Sequence, residues 1–76
     1  MGKNMIPLVF ADVGKEVEIV KIGGNPDVKH HLENIGFIVG DKILVLSSLN
    51  GNLIVSVKGI RVAISMEMAQ KIMVLV

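Results

Sequence analysis

The octet Lys15-Glu-Val-Glu-Ile-Val-Lys-Ile22 constrains the fold more than any other stretch of the chain. Val17 and Ile19 alternate with Glu16 and Glu18, the period of a half-buried strand. The apolar set then changes sides and resumes at Val20 and Ile22. Parity along a strand fixes the face of each side chain, so a straight strand cannot bury both sets together. A strongly bent or bulged strand at the corner of a small barrel can. Gly14 ahead of the octet and Gly23-Gly24 behind it mark its ends.

The remaining segments fit around such a corner. Asn25-Pro26-Asp27 opens a helix: Asn is a favoured N-cap, Pro suits the first helical position, and Asp27 meets the positive end of the dipole. Val28, Leu32 and Ile35 recur at helical spacing and Gly36 supplies a left-handed stop, which predicts a helix over about residues 26–35. Asp41 to Ser48 is expected as the second strand. Asn50-Gly51 then marks a type I′ hairpin turn into Leu53 to Val57. Lys58-Gly59 turns the chain again into Ile60 to Ile64, with Arg61 facing away from Ile60, Val62 and Ile64. Ser65 caps a short helical turn over 66–71, and Ile72 to Val76 closes the chain with Ile72, Val74 and Val76 on one face. Five short strands, tight turns and one inserted helix predict a mainly β fold, an SH3-like small five-stranded barrel, as one domain over residues 1–76.

At 76 residues the chain is small for a hydrophobic core. It has no Cys, which excludes disulfides, thiolate zinc and iron–sulfur clusters. Instead, 51% of its residues are hydrophobic and rich in Val, Ile and Leu, the side chains that suit a pleated, half-buried surface. Net charge is only +1, and Phe10 and Phe37 are the sole aromatics. Nucleic-acid binding lacks both its basic face and its stacking platform. No apolar run approaches the ~20 residues of a membrane-spanning helix. Lys3 and the Met5–Ala11 run are too short and Pro-interrupted for a signal peptide, and Met1-Gly2 lacks the Ser or Thr of a myristoylation site. The expectation is a soluble, cytoplasmic protein.

His30 and His31 are the most conspicuous candidate ligands. On the predicted helix His31 lies about 60° from Val28, at the margin of the buried stripe, while His30 points roughly opposite. Neighbouring helical residues do not face each other, so one ion cannot readily take both imidazoles. Asp27 with His31, and His30 with Glu33, have spacings that support only weak surface sites for Fe2+ or another divalent ion. The candidate metal set is therefore His30, His31 and Asp27, with no cofactor required. The Gly23-Gly24-Asn25-Pro26 turn lacks the Lys-Ser/Thr of a phosphate loop, and no serine has a His–acid relay. No catalytic residue is assigned, and the chain is not expected to be an enzyme. The outward residues Lys29, His30 and Glu33, together with Arg61, are candidates for partner recognition. Phe37, at the helix exit, either plugs the core or anchors a partner; core placement is favoured.

One ordered series runs through almost the whole chain, from Pro7-Leu8, Val13-Gly14, Val17 and Ile19 to the Ile22-Gly23-Gly24 turn. Leu32-x-x-Ile35-Gly36-x-x-x-Gly40-Asp41 follows, then Val45, Ile54-x-Ser56, Gly59-x-Arg61-x-Ala63-Ile64, Ala69 and Ile72-x-Val74. This series resembles FeoA, the small cytoplasmic component of bacterial and archaeal ferrous-iron transport. The resemblance implies an SH3-like barrel with an inserted helix and no catalysis. It also implies a role beside FeoB, the membrane permease with a GTP-binding domain, whose nucleotide cycle or assembly it would modulate. The same barrel forms the carboxy-terminal domain of DtxR-type iron-dependent repressors. No helix-turn-helix precedes it in these 76 residues, so a stand-alone repressor is not expected.

The chain departs from the FeoA pattern just before the helix leucine. The family commonly carries arginines there, and this chain has Lys29, His30 and His31, with fewer donors than guanidinium forks. The Ser48 to Asn52 loop is also shorter than in many relatives. The sequence therefore predicts an adaptor that docks on an FeoB-type permease and meets the membrane only through it. A metal-responsive module or iron carrier is the alternative, and a small-barrel nucleic-acid binder a more distant one. The IMVLV end offers an edge for pairing with a second copy, which makes a homo-oligomer a further expectation.

Overall fold

The computed structural model describes residues 4–76; Met1, Gly2 and Lys3, part of the comparison with targeting signals, lie outside them. Six strands form one antiparallel sheet: β1 (Met5–Pro7), β2 (Glu16–Ile22), β3 (Lys42–Leu49), β4 (Asn52–Val57), β5 (Ile60–Ile64) and β6 (Ile72–Leu75). Two helices interrupt them, α1 (Pro26–Ile35) and the single turn α2 (Met66–Ala69), and a 3-10 turn spans Leu8–Phe10. The strand order is β1-β6-β2-β3-β4-β5. This is the expected SH3-like architecture with one strand more than the sequence predicts. β1 is only three residues long and ends on Pro7, which cannot donate to a ladder and so belongs on an edge. Its stability comes from pairing with β6, Met5 opposite Leu75 and Pro7 opposite Met73.

The corner in β2 is a register shift. Its first half pairs with β3, Glu16 opposite Leu44 and Glu18 opposite Lys42. Its second half pairs with β6, where Ile19 opposes Val74 but Lys21 opposes Met73, leaving Val20 as the extra residue. A one-residue insertion inverts parity, so Val17 and Ile19 before it and Ile22 after it all reach the same core. A second shift lies between Val45 and Ser47 of β3. The two turns around β4 follow local chemistry. Asn50 and Gly51 have φ of 55° and 85°, and Lys58 and Gly59 have 53° and 79°, the positive values that a two-residue hairpin loop of this hand requires.

No ladder joins β1 to β5 among the described residues. The curl is completed instead by packing: α2 contacts β4 and the 3-10 turn, and that turn contacts β6. Ser65 Oγ accepts from Met68 N–H, and Asn52 Oδ1 from Met66 N–H at 2.9 Å, so the start of α2 is tied to the β3–β4 hairpin. The buried set is wholly hydrophobic among the described residues and includes Leu8, Ile19, Leu32, Phe37 and Val74. β6 ends at Leu75, one residue earlier than predicted, and Val76 is exposed rather than sharing the buried face of Ile72 and Val74.

α1 carries its own start and stop signals. Asn25 Oδ1 accepts from Val28 N–H at 2.9 Å, with Pro26 in the first turn. At the other end Phe37 N–H donates to Leu32 C=O and Gly36 N–H to Glu33 C=O, both at 3.0 Å. These are the two bonds of a Schellman stop, with Gly36 at φ 121°. The Leu32 and Phe37 side chains bracketing it are both fully buried. Gly36→Ala should cost about 1–2 kcal/mol, because a β-carbon disfavours that backbone region. Leu32→Ala should cost about 2–5 kcal/mol through the cavity it leaves. Urea unfolding of the two variants at constant slope checks both values.

Candidate docking face

Sequence reasoning nominated Lys29, His30 and Glu33 as outward residues of α1, and all three are exposed. So is His31, one position before the buried Leu32. Asp27 is exposed in the first turn of the helix. Exposure does not make these groups a chelate: among the described residues no three His, Cys, Asp or Glu side chains gather as a metal-holding group. Arg61 is exposed on β5, opposite Ser56 of β4, and so belongs to a different element from the α1 residues.

Phe37 is a correction to the candidate partner residues. It is 0% exposed, and the Schellman bonds that end α1 turn its side chain into the core beside Leu32. Its aromatic area stabilises the helix–barrel joint and is not presented to a partner. The residues immediately after it are presented instead. Ile38 and Val39 are 43% and 57% exposed, at a turn where Asp41 N–H donates to Ile38 C=O at 3.0 Å. Gly40 occupies the third position of this turn with φ 97°, a value that glycine adopts without strain.

A groove runs along this edge of the molecule, with a volume of about 330 Å³. β2 contributes Val20, Lys21 and Ile22, α1 contributes Lys29 and Glu33, and the helix exit contributes Ile38 and Val39. Only Lys29 and Glu33 were nominated by the sequence. The available signal for the others was Phe37-Ile38-Val39, three consecutive apolar residues directly before a Gly-Asp turn, of which only some can enter a core. A second cleft of about 230 Å³ is lined by Glu16, Glu18, Lys42, Leu75 and Val76. The ion pair found among the described residues is elsewhere, with Lys58 Nζ 3.4 Å from Asp41 Oδ2. Half-exposed pairs of this kind contribute roughly 0–1 kcal/mol. No helix of the described residues is long and apolar enough to cross a membrane.

Comparison with known proteins gives these features a context. The FeoA domain model matches residues 6–76. A Methanocaldococcus jannaschii protein named as an Fe(2+) transport protein A is 40% identical over 70 residues, covering 92% of this chain and 85% of that protein. A crystal structure described as an iron uptake regulatory protein, FeoA, superposes with a TM-score of 0.86 at 32% identity, covering 93% of this chain and 95% of the other. A crystal structure described as T. acidophilum IdeR matches all of this chain with a TM-score of 0.85 at 25% identity, but only 36% of that chain is covered.

The placements of Phe37 and His30 separate by mutation. Phe37→Ala should destabilise the chain by about 3–5 kcal/mol. His30→Gln, at an exposed helical position, should change stability by less than about 0.5 kcal/mol. Equilibrium denaturation measures both, and comparable losses at the two positions would contradict this assignment.

Proposed function

The chain belongs to the FeoA domain family, and from that premise we propose that it is a cytoplasmic, non-enzymatic accessory protein of ferrous-iron transport that docks on the GTP-binding domain of an FeoB-type permease. The observation that carries the iron-transport role is the 40% identity, over nearly its full length, to a protein named for Fe(2+) transport. The docking step is supported by the distribution of polar groups. The buried residues are all hydrophobic among those described, and Lys29, His30, Glu33 and Arg61 are exposed, where a macromolecular surface can meet them. Lys29, His30 and Glu33 on α1 offer one contact face, and Arg61 on β5 another.

Mixing the purified chain with the soluble GTP-binding domain of its cognate permease should give a complex with a dissociation constant of roughly micromolar order, as small transient interfaces do. Isothermal titration calorimetry, with and without guanine nucleotide, measures it. No association at several hundred micromolar under either condition would remove the docking reading.

Our reading assigns the chain no resident metal. In an anaerobic titration with ferrous ion, the side-chain NMR signals of His30 and His31 should stay in place through one equivalent. A stoichiometric shift of either would favour an iron carrier using His30, His31 and Asp27.

A further inference from the structure

The groove between β2, α1 and the helix exit has three properties that together specify what fits it. Its aliphatic part is prebuilt. Val20 lines it as the extra residue of the β2 bulge, the kind of irregularity that re-aims a side chain. Ile38 and Val39 are held beside it because Gly40 N–H donates to Ile19 C=O at 2.7 Å and Ile19 N–H donates to Asp41 C=O at 2.9 Å. Turn positions usually carry Gly, Pro, Asn, Asp or Ser, so two adjacent exposed β-branched aliphatics on a fastened turn are anomalous for solubility.

Its size is small. About 330 Å³ lies at the lower end of the roughly 300–1,000 Å³ of small-molecule sites, and its lining contains no aromatic residue. Its charge is uneven. Lys21 and Lys29 stand against the single carboxylate of Glu33, and none of the three belongs to the ion pair formed among the described residues. Two cations beside an aliphatic slot complement an aliphatic side chain with carboxylates next to it.

We propose that this groove receives one aliphatic side chain, flanked by carboxylates, from the GTP-binding domain of the permease; the inference rests on the docking reading above and names its contact chemistry. Two lysines are too few to hold a nucleic-acid backbone. A second copy of this chain is the nearest competitor, because Asp12-Val13 is an exposed carboxylate–aliphatic pair. That turn also carries Lys15, which would meet the groove's own lysines.

The test is a titration of methyl-labelled chain with the permease's GTP-binding domain. Shifts should concentrate at the methyls of Val20, Ile22, Ile38 and Val39. By calorimetry Val39→Asp should weaken binding at least about tenfold, as loss of a central anchor does. Charge reversal of both Lys21→Glu and Lys29→Glu should weaken it at least about tenfold and reverse its dependence on salt, since salt then screens a repulsion. Leu49→Ser, an exposed aliphatic at the end of β3 outside the groove, should bind within about twofold of wild type. Val39 is exposed, so its variant should fold, which an amide NMR spectrum verifies; Ile38→Ser is the second variant should it not. Unchanged affinity in both aliphatic variants overturns the groove while leaving docking intact, and unchanged affinity on lysine reversal overturns the carboxylate assignment. No binding by wild type removes docking and groove together. Self-association that Val39→Asp abolishes would name a second copy as occupant and overturn the proposal.

Discussion

The extra residue at Val20 is the constraint from which the rest of the architecture follows. β2 lies in the middle of the sheet and must serve two neighbours, β3 along its first half and β6 along its second. Without the shift, one half would turn its aliphatics outward, and a chain of this size has no surplus apolar surface to lose. With it, Val17, Ile19 and Ile22 share one interior while the sheet bends enough for the 3-10 turn and α2 to cover its open side. The displaced Val20 side chain then lines the groove beside α1. One inserted residue thus shapes the interior and a surface feature together.

The second joint, at Leu32, Gly36 and Phe37, converts a helix into the approach to β3. Backbone bonds to Leu32 and Glu33 stop the helix, and two fully buried side chains lock the reversal. Because the stop commits Phe37 inward, the next two residues must traverse the surface before β3 begins at Lys42. Their exposure follows from backbone geometry imposed one turn earlier. The connection gains rigidity from its two bonds with Ile19, so its apolar tip is a fixed shape.

Features encoded by neighbours in sequence were the legible ones. The change of face in Lys15–Ile22 announced the bulge, Asn25-Pro26 and Gly36 announced the helix ends, and Asn50-Gly51 announced the hairpin. Each is a conflict or preference within a few residues, where sterics and capping act. β1 was not legible: Met5–Pro7 has almost no local signal, and its strand character comes from Met73 to Leu75 far along the chain. Neither was the shift at Leu46, where apolar residues run on both faces and parity gives no warning. For the candidate site, the helical wheel correctly placed Lys29, His30 and Glu33 outside. The groove was beyond reach because it depends on residues 20 and 39 meeting in space. Phe37 was open to two placements until the helix stop fixed its direction.

The ends of the fold also have a consequence. Val76 N–H donates to Asn4 C=O at 3.0 Å, so the polypeptide enters and leaves this unit at the same point. Such a unit behaves like a bead hung by one corner: a longer protein can carry it as a side module without rerouting its own backbone. In the structure described as T. acidophilum IdeR the matched region is likewise about a third of a longer chain. Evolution can attach or detach the bead while leaving its sheet untouched.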